Sequence, residues 1–375
     1  MRSVATKAAL FWAAFFLLCF PASPQDLQSL LVAGSQALQS GDNAGAEKCF
    51  HQALALEPRS LEILNDLAIA QARQGKETDA IATYNRALKI KPDDAITKRN
   101  LGIAYFRAQR YQEALPLLES FAKSAPSFQS LDLAGLTLFA LDRYPEAADY
   151  LERASQLNPR DLQTLNMLGN ACLRAKNYPG AADVFARIMA IDPNSAEAHM
   201  MMGMAYDKMQ RDTEAQAEYE AAAKANPKLF GVHSGLGLIY WKQGKLDLAK
   251  PEFERELSID PNDPVSHCIL GQILSKENQP EAALRNLRAA VAENPNYKEA
   301  LFELAKSELA AGDPQHAVQH LRRAIALDRD YFEAHYVLGT ALRKLGRTAE
   351  ASRESQIAEQ IQAQQRADQI KNVTH

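Results

Sequence analysis

Apolar residues fall at helical spacing along most of the chain and break off at regular intervals. Between residues 162 and 195, Leu165, Leu168 and Cys172 are three and four apart, which puts them on one helix face. The polar stretch RAKNYPG interrupts the pattern, and Ala181, Val184, Phe185 and Ile188 restart it. The segment IDPN then ends the pair. The unit predicted is two amphipathic helices joined by a tight turn.

That unit recurs. Pro58, Pro92, Pro126, Pro159, Pro193, Pro227, Pro261 and Pro295 follow one another at 34 residues, once at 33. A fixed period of this length marks a stacked-repeat architecture. One column holds small residues: Gly34, Ala68, Gly102, Gly135, Gly169, Gly203, Gly237, Gly271, Ala305 and Gly339. Another is alanine throughout, from Ala46 and Ala80 to Ala317 and Ala351. A third, four residues further on, is mostly aromatic or leucine, as in Phe50, Tyr84, Leu118, Tyr219 and Phe253. Ten copies are predicted, at about 27–60, 61–94, 95–127, 128–161, 162–195, 196–229, 230–263, 264–297, 298–331 and 332–365. Residues 366–375 would end a capping helix and fray.

Local signals agree with this division. Pro145, Pro179, Pro280 and Pro314 fall where a second helix begins, and proline is tolerated in a first turn. Gly41, Gly75, Gly244, Gly312 and Gly346 follow a first helix, where a left-handed stop favours glycine. A mid-helix glycine costs roughly 1 kcal/mol against alanine. Its recurrence at one register predicts close approach, with the alanine column of the second helix packing into the gap.

These columns resemble the tetratricopeptide repeat (TPR) family, as AEAHMMMGMAY followed by EAQAEYEAAAKANP illustrates. The resemblance spans about 340 of 375 residues. It implies an all-α fold, an α-solenoid in which helix-turn-helix hairpins wind into a right-handed superhelix. It also implies a concave groove, lined by the first helix of each hairpin, that binds peptide segments of partner proteins. The Lys, Asn and Arg clamp with which some TPR proteins hold a chaperone's terminal carboxylates is not matched. Asn166 and Asn170 occur together, but the next copy offers Met200 and Met204.

Helical phase then selects the groove-facing positions. They are Ile103, Phe106, Leu136, Phe139, Asn166, Asn170, Met200, Met204, Leu238 and Trp241. An apolar stripe of this extent marks an interaction surface. Arg73, Arg107, Arg174, Lys208, Lys242 and Lys276 each end a first helix. Complementarity to the helix dipole accounts for such bases, and a ladder for acidic side chains is the sharper reading. The expected partner is a protein or peptide.

The N-terminus breaks the pattern. Arg2 and Lys7 precede an uncharged run of 13 residues, 8–20, and Pro-Ala-Ser-Pro follows. Residues 1–25 read as a secretory signal peptide, which predicts export to the periplasm or beyond, with a bacterial envelope favoured. The apolar run is short for a membrane span, and no span is expected in the mature chain.

Composition narrows the function classes. Lys and Arg number 42 against 46 Asp and Glu, a net charge of −4, which does not suit a nucleic-acid binder. Four cysteines exclude a disulfide scaffold. No phosphate loop, nucleophile elbow or HExxH is present, so no enzyme activity, catalytic residue, cofactor or metal is expected. The leading reading is a non-enzymatic scaffold. The alternatives are a Cu(I)-handling protein, through the methionines of His199-Met200-Met201-Met202-Gly203-Met204, and a non-catalytic subunit of an envelope enzyme or secretion assembly. His199, His233, His267 and His335 share a mostly buried column and are expected to serve core packing.

Overall fold

The computed structural model describes residues 24–373, with side chains over 26–368. The leader read over residues 1–25 lies outside them, but for the last two residues. Among the described residues there are twenty helices and no strand. They are α1 (Pro24–Ser40), α2 (Asn43–Leu56), α3 (Leu61–Arg73), α4 (Glu77–Ile90), α5 (Ala95–Arg107), α6 (Tyr111–Ser124), α7 (Phe128–Ala140), α8 (Tyr144–Leu157), α9 (Leu162–Arg174), α10 (Tyr178–Ile191), α11 (Ala196–Lys208), α12 (Asp212–Ala225), α13 (Val232–Lys242), α14 (Leu246–Ile259), α15 (Pro264–Lys276), α16 (Pro280–Glu293), α17 (Lys298–Ala310), α18 (Pro314–Leu327), α19 (Phe332–Lys344) and α20 (Thr348–Val373).

The chain divides into two compact units between Ala175 and Lys176. Within each unit every helix packs on the next one in sequence. Odd-numbered helices of neighbouring hairpins also touch, α3 on α5 and α7 on α9 in the first unit, α11 on α13, α15 on α17 and α17 on α19 in the second. Each unit is therefore an all-α solenoid with the odd helices along one side.

The core is built from the repeated columns. Ala46, Ala80, Ala114, Ala147, Ala181, Ala215, Ala249, Ala283 and Ala317 are wholly buried. So are Phe50, Leu118, Leu151, Phe185, Phe253, Leu287 and Leu321 of the bulky column. The small column owes its glycines to this second set rather than to the alanines. A Cβ added at Gly135 would lie 2.7 Å from Leu151 Cγ, and one at Gly271 2.6 Å from Leu287 Cγ. At Gly34 it would meet the Phe50 ring at 2.7 Å. The partner sits sixteen residues on, and the alanine column contributes mainly its carbonyls, as with Ala215 O and Ala283 O at 3.3 Å.

Helix ends follow from local chemistry. Ser60, Asp94, Ser127, Asp161, Ser195 and Asp263 cap α3, α5, α7, α9, α11 and α15, each accepting from the backbone three residues on. Between the helices of a hairpin the chain turns through a left-handed residue. Gly41, Gly75, Gly244, Gly312 and Gly346 hold that place as the sequence predicts. Gln109, Asp142, Lys176, Gln210 and Asn278 hold it too, with φ between 58° and 60°. A side chain in this conformation costs about 1–2 kcal/mol, against roughly 0.5–1 for the extra freedom of an unfolded glycine. Gln109→Gly and Gln210→Gly should each stabilise by about 0.5–1 kcal/mol. Urea unfolding reads this as a raised midpoint, and a lowered one would contradict it.

Candidate partner-binding face

The expected groove residues lie on odd helices of both units. In the first unit Ile103 and Leu136 follow the small column by one position and are half-buried. Phe106 and Phe139 are also half-buried, and their rings pack edge-on against Tyr111 at 5.6 Å and Tyr144 at 5.3 Å. They close their own hairpins while leaving one edge open. Asn166 is exposed and Asn170 half-exposed. Their amides donate to Leu162 O at 2.8 Å and Asn166 O at 2.9 Å, so the donors are engaged by their own helix.

In the second unit Leu238 and Trp241 are half-buried and Met204 is exposed. Met200 packs with Tyr206 and Tyr240 against the core formed by Tyr219, Leu236 and Ile239. Met202 is buried, so α11 spreads its thioethers around its circumference instead of gathering them on one side.

The terminal bases are all exposed, and they follow a geometric rule. Several reach back to the last turn of the preceding odd helix. Arg73 Nη1 donates to Leu38 O at 2.9 Å, and Lys344 Nζ to Leu309 O at 3.4 Å. Lys242 bridges to Asp207 and lies 3.8 Å from Asp212. Lys276 Nζ stands 4.4 Å over the Trp241 ring, and Arg174 stands 5.9 Å over Tyr144. Orphan carbonyls at a helix C-terminus carry partial negative charge, and these cations complement it from the next hairpin. Arg107 lies in the field of Glu77, and Lys208 has Asp207 beside it at 3.7 Å.

The family model for the tetratricopeptide repeat matches residues 31–95, 133–196, 200–264, 270–330 and 302–355, more than half of the chain. The chain belongs to the tetratricopeptide repeat family. A second model, for the anaphase-promoting complex, cyclosome, subunit 3, matches residues 74–154. Among curated relatives, a DnaJ homolog subfamily C member 7 homolog of Schizosaccharomyces pombe is 29% identical over 160 residues, 37% of this chain and 33% of that protein. The Photosystem I assembly protein Ycf3 of a Synechococcus strain is 35% identical over 83 residues, 21% of this chain and 48% of its own length. The chain thus spans a third to a half of these relatives. A solved tetratricopeptide repeat protein from Parabacteroides merdae is 20% identical, with a TM-score of 0.43 over 67% of this chain and 99% of that one. TPR proteins are protein-interaction scaffolds, mostly without catalytic activity.

Two features of these TPR hairpins escape sequence reasoning. The histidine column does more than fill the core. His199, His233 and His335 each place Nδ1 2.6 Å from a glutamate nineteen residues on: Glu218, Glu252 and Glu354. Their Nε2 atoms face the carbonyls of Pro193, Pro227 and Arg329, six residues back, at 3.3, 3.0 and 3.1 Å. His267 makes the same pair with Asn286 and Pro261 O. Each imidazole latches the loop between hairpins to the following even helix. The signal was present as a Pro-x5-His spacing in three of the four, with Arg329 in the proline's place before His335.

The second feature is Glu256. It is wholly buried and accepts from the backbone N–H groups of Gly231 at 2.8 Å and Ser234 at 3.0 Å. Gly231 is left-handed at φ 85° and brings no capping side chain, so a carboxylate from α14 caps α13 instead.

Metal and thiol chemistry find little purchase. Among the described residues no group of three or more His, Cys, Asp or Glu could hold a metal ion. His316 and His320 turn to different acids, Asp313 at 2.5 Å and Glu308 at 2.8 Å. Burial pushes the Cys268 thiol up to about 11 and raises that of Cys172, which keeps both protonated. Among the described residues no helix is long and apolar enough to cross a membrane.

Proposed function

We propose that this chain is a non-enzymatic scaffold that holds protein or peptide partners on the odd-helix faces of its two units, and that it is exported and works in a bacterial cell envelope. The observation that carries the binding reading is the register of Ile103, Leu136 and Leu238. These half-buried apolar side chains follow the small column by one residue in three hairpins, so apolar surface recurs at one level of the face. The core is complete without their outer edges, since the alanine and bulky columns fill it. Apolar side chains left half open in this way give a partner area to bury. One relative is named an assembly protein, and holding components of a complex together fits this reading. Export is supported by the basic start and short apolar run of residues 2–20.

A photo-crosslinking residue placed at Ile103, Leu136 or Leu238 in cells should capture the same partner, while placement at Lys123 or Gln216 on even helices should not. Ile103→Asp with Leu136→Asp should weaken that partner's binding about tenfold or more at unchanged melting temperature. Capture from the even helices alone would reverse the assignment. Export is checked separately with alkaline phosphatase fused after Ser40, where an inactive fusion counts against it.

A further inference from the structure

We propose that the cavity between α12 and α14 in the second unit is a distinct binding site for an acidic peptide segment of a partner protein. It does not rest on the odd-helix reading, because its charged walls belong to even helices and to the loop that joins α12 to α13.

The cavity holds about 730 Å³, a size typical of ligand sites. Lys224, Lys228 and Arg255 stand around it over an apolar floor that includes Pro227 and Ile259, and no carboxylate lines it. Lys224 and Lys228 are exposed. Lys242, Lys250, Lys298 and Lys306 of the same unit are each paired with a carboxylate, whereas Lys245 is as open as these two. What sets the cavity apart is that two such lysines line it together with no carboxylate in the lining, in a chain whose net charge is −4.

The surrounding structure explains the imbalance. The glutamates of α14 nearest the cavity are turned inward. Glu252 meets His233 and receives Arg255 Nη1 at 2.6 Å, and Glu256 caps α13. Arg255 is thereby engaged, and Lys224 and Lys228 are left without carboxylates on the open side. The cavity also coincides with the one connection between hairpins of this unit that departs from its neighbours. Four residues link α10 to α11, α14 to α15, α16 to α17 and α18 to α19, whereas six, 226–231, link α12 to α13. The two additional residues, Phe230 and Gly231, are withdrawn from the helix, and Phe230 is left 58% exposed. His233 Nε2 lies 3.0 Å from Pro227 O, so the altered loop is pinned and the walls are preorganised.

The comparable cavity along α16 and α18 lacks this character, because Glu308 and Asp313 line it beside Arg288 and Arg323. An acidic peptide suits the first cavity better than a bare anion. Lysines act as mobile point charges that follow carboxylates in several geometries, the single arginine fork is already engaged, and the floor is apolar.

The test uses the full chain and fluorescence anisotropy of a labelled short peptide of alternating glutamate and leucine, with its glutamine counterpart as control. The glutamate peptide should bind about tenfold more tightly at low salt, and added salt should weaken it. Lys224→Glu with Lys228→Glu should remove that preference while the circular-dichroism melt stays unchanged, and Lys123→Glu on α6 of the first unit should leave it intact. Equal binding of the two peptides overturns the proposal. So does a preference that survives the double substitution or falls equally with Lys123→Glu. Complete displacement by millimolar inorganic phosphate would make this a plain anion site and overturn the peptide assignment.

Discussion

Gly271→Leu is expected to destabilise the hairpin of α15 and α16 by about 3 kcal/mol, near the upper end of overpacking costs. The first added atom would lie 2.6 Å from Leu287 Cγ and 3.3 Å from Ala283 O. Leu287 is wholly buried, so it has no solvent to retreat into, and the carbonyl belongs to the backbone of α16. Relief requires the two helices to part, which uncovers Ala283 and Ala290 as well. The better helix propensity of leucine returns only about 1 kcal/mol. Gly203→Leu should cost about 1–3 kcal/mol, because its nearest neighbour is the Tyr219 ring at 3.2 Å. Gly339→Leu should cost least, since its neighbour is the short side chain of Ser355. Stacked repeats unfold in parts, so amide exchange across each hairpin is the better readout than one global melt. Parental protection in α15 and α16 of Gly271→Leu would show that the close approach is not what selects glycine.

The repeat and its helices were legible because they rest on periodicity, which needs no knowledge of contacts. What lay beyond it depended on partners that are far apart in sequence. The glycine column announced a close approach, but only the structure shows that the bulky column, and not the alanines, lies over it. Glycine at five of the inter-helix turns carried its own signature, and Asp142 and Asn278 are of the types that tolerate the left-handed region, while Gln109, Lys176 and Gln210 adopt the same turn without such a signal. The base column was visible as a column, yet its contacts fall on the preceding odd helix: Arg73 on Leu38, Lys242 on Asp207, Lys344 on Leu309. That geometry gives dipole complementarity a concrete form. The groove residues divide in the same way. Ile103, Leu136 and Leu238 keep open surface, whereas Phe106 and Phe139 use part of theirs on Tyr111 and Tyr144. A phase argument places a side chain on a face and says nothing of what its own hairpin does with it.

Glu256→Ala is the other substitution expected to cost about 3 kcal/mol. The side chain caps α13 from a neighbouring helix, a role that a residue 25 positions after the loop gives no local sign of filling. Its removal leaves the N–H groups of Gly231 and Ser234 without acceptors, and Ser234 is buried. An orphaned buried donor costs about 1–3 kcal/mol, and loss of a negative charge at a helix N-terminus adds about 0.3–1 kcal/mol. Asp42, which caps α2, is exposed enough for water to replace it in part, whereas Glu256 is wholly buried. Glu256→Gln retains one oxygen and should cost about half as much, which separates capping from loss of packing volume. Amide exchange at Ser234 should quicken strongly in Glu256→Ala and only moderately in Glu256→Gln, with the hairpin of α17 and α18 unaffected. If Ser234 stays as protected as in the parent chain, water or a side chain from the 226–231 loop has taken over the cap, and the loop does not depend on the carboxylate of α14 for its shape.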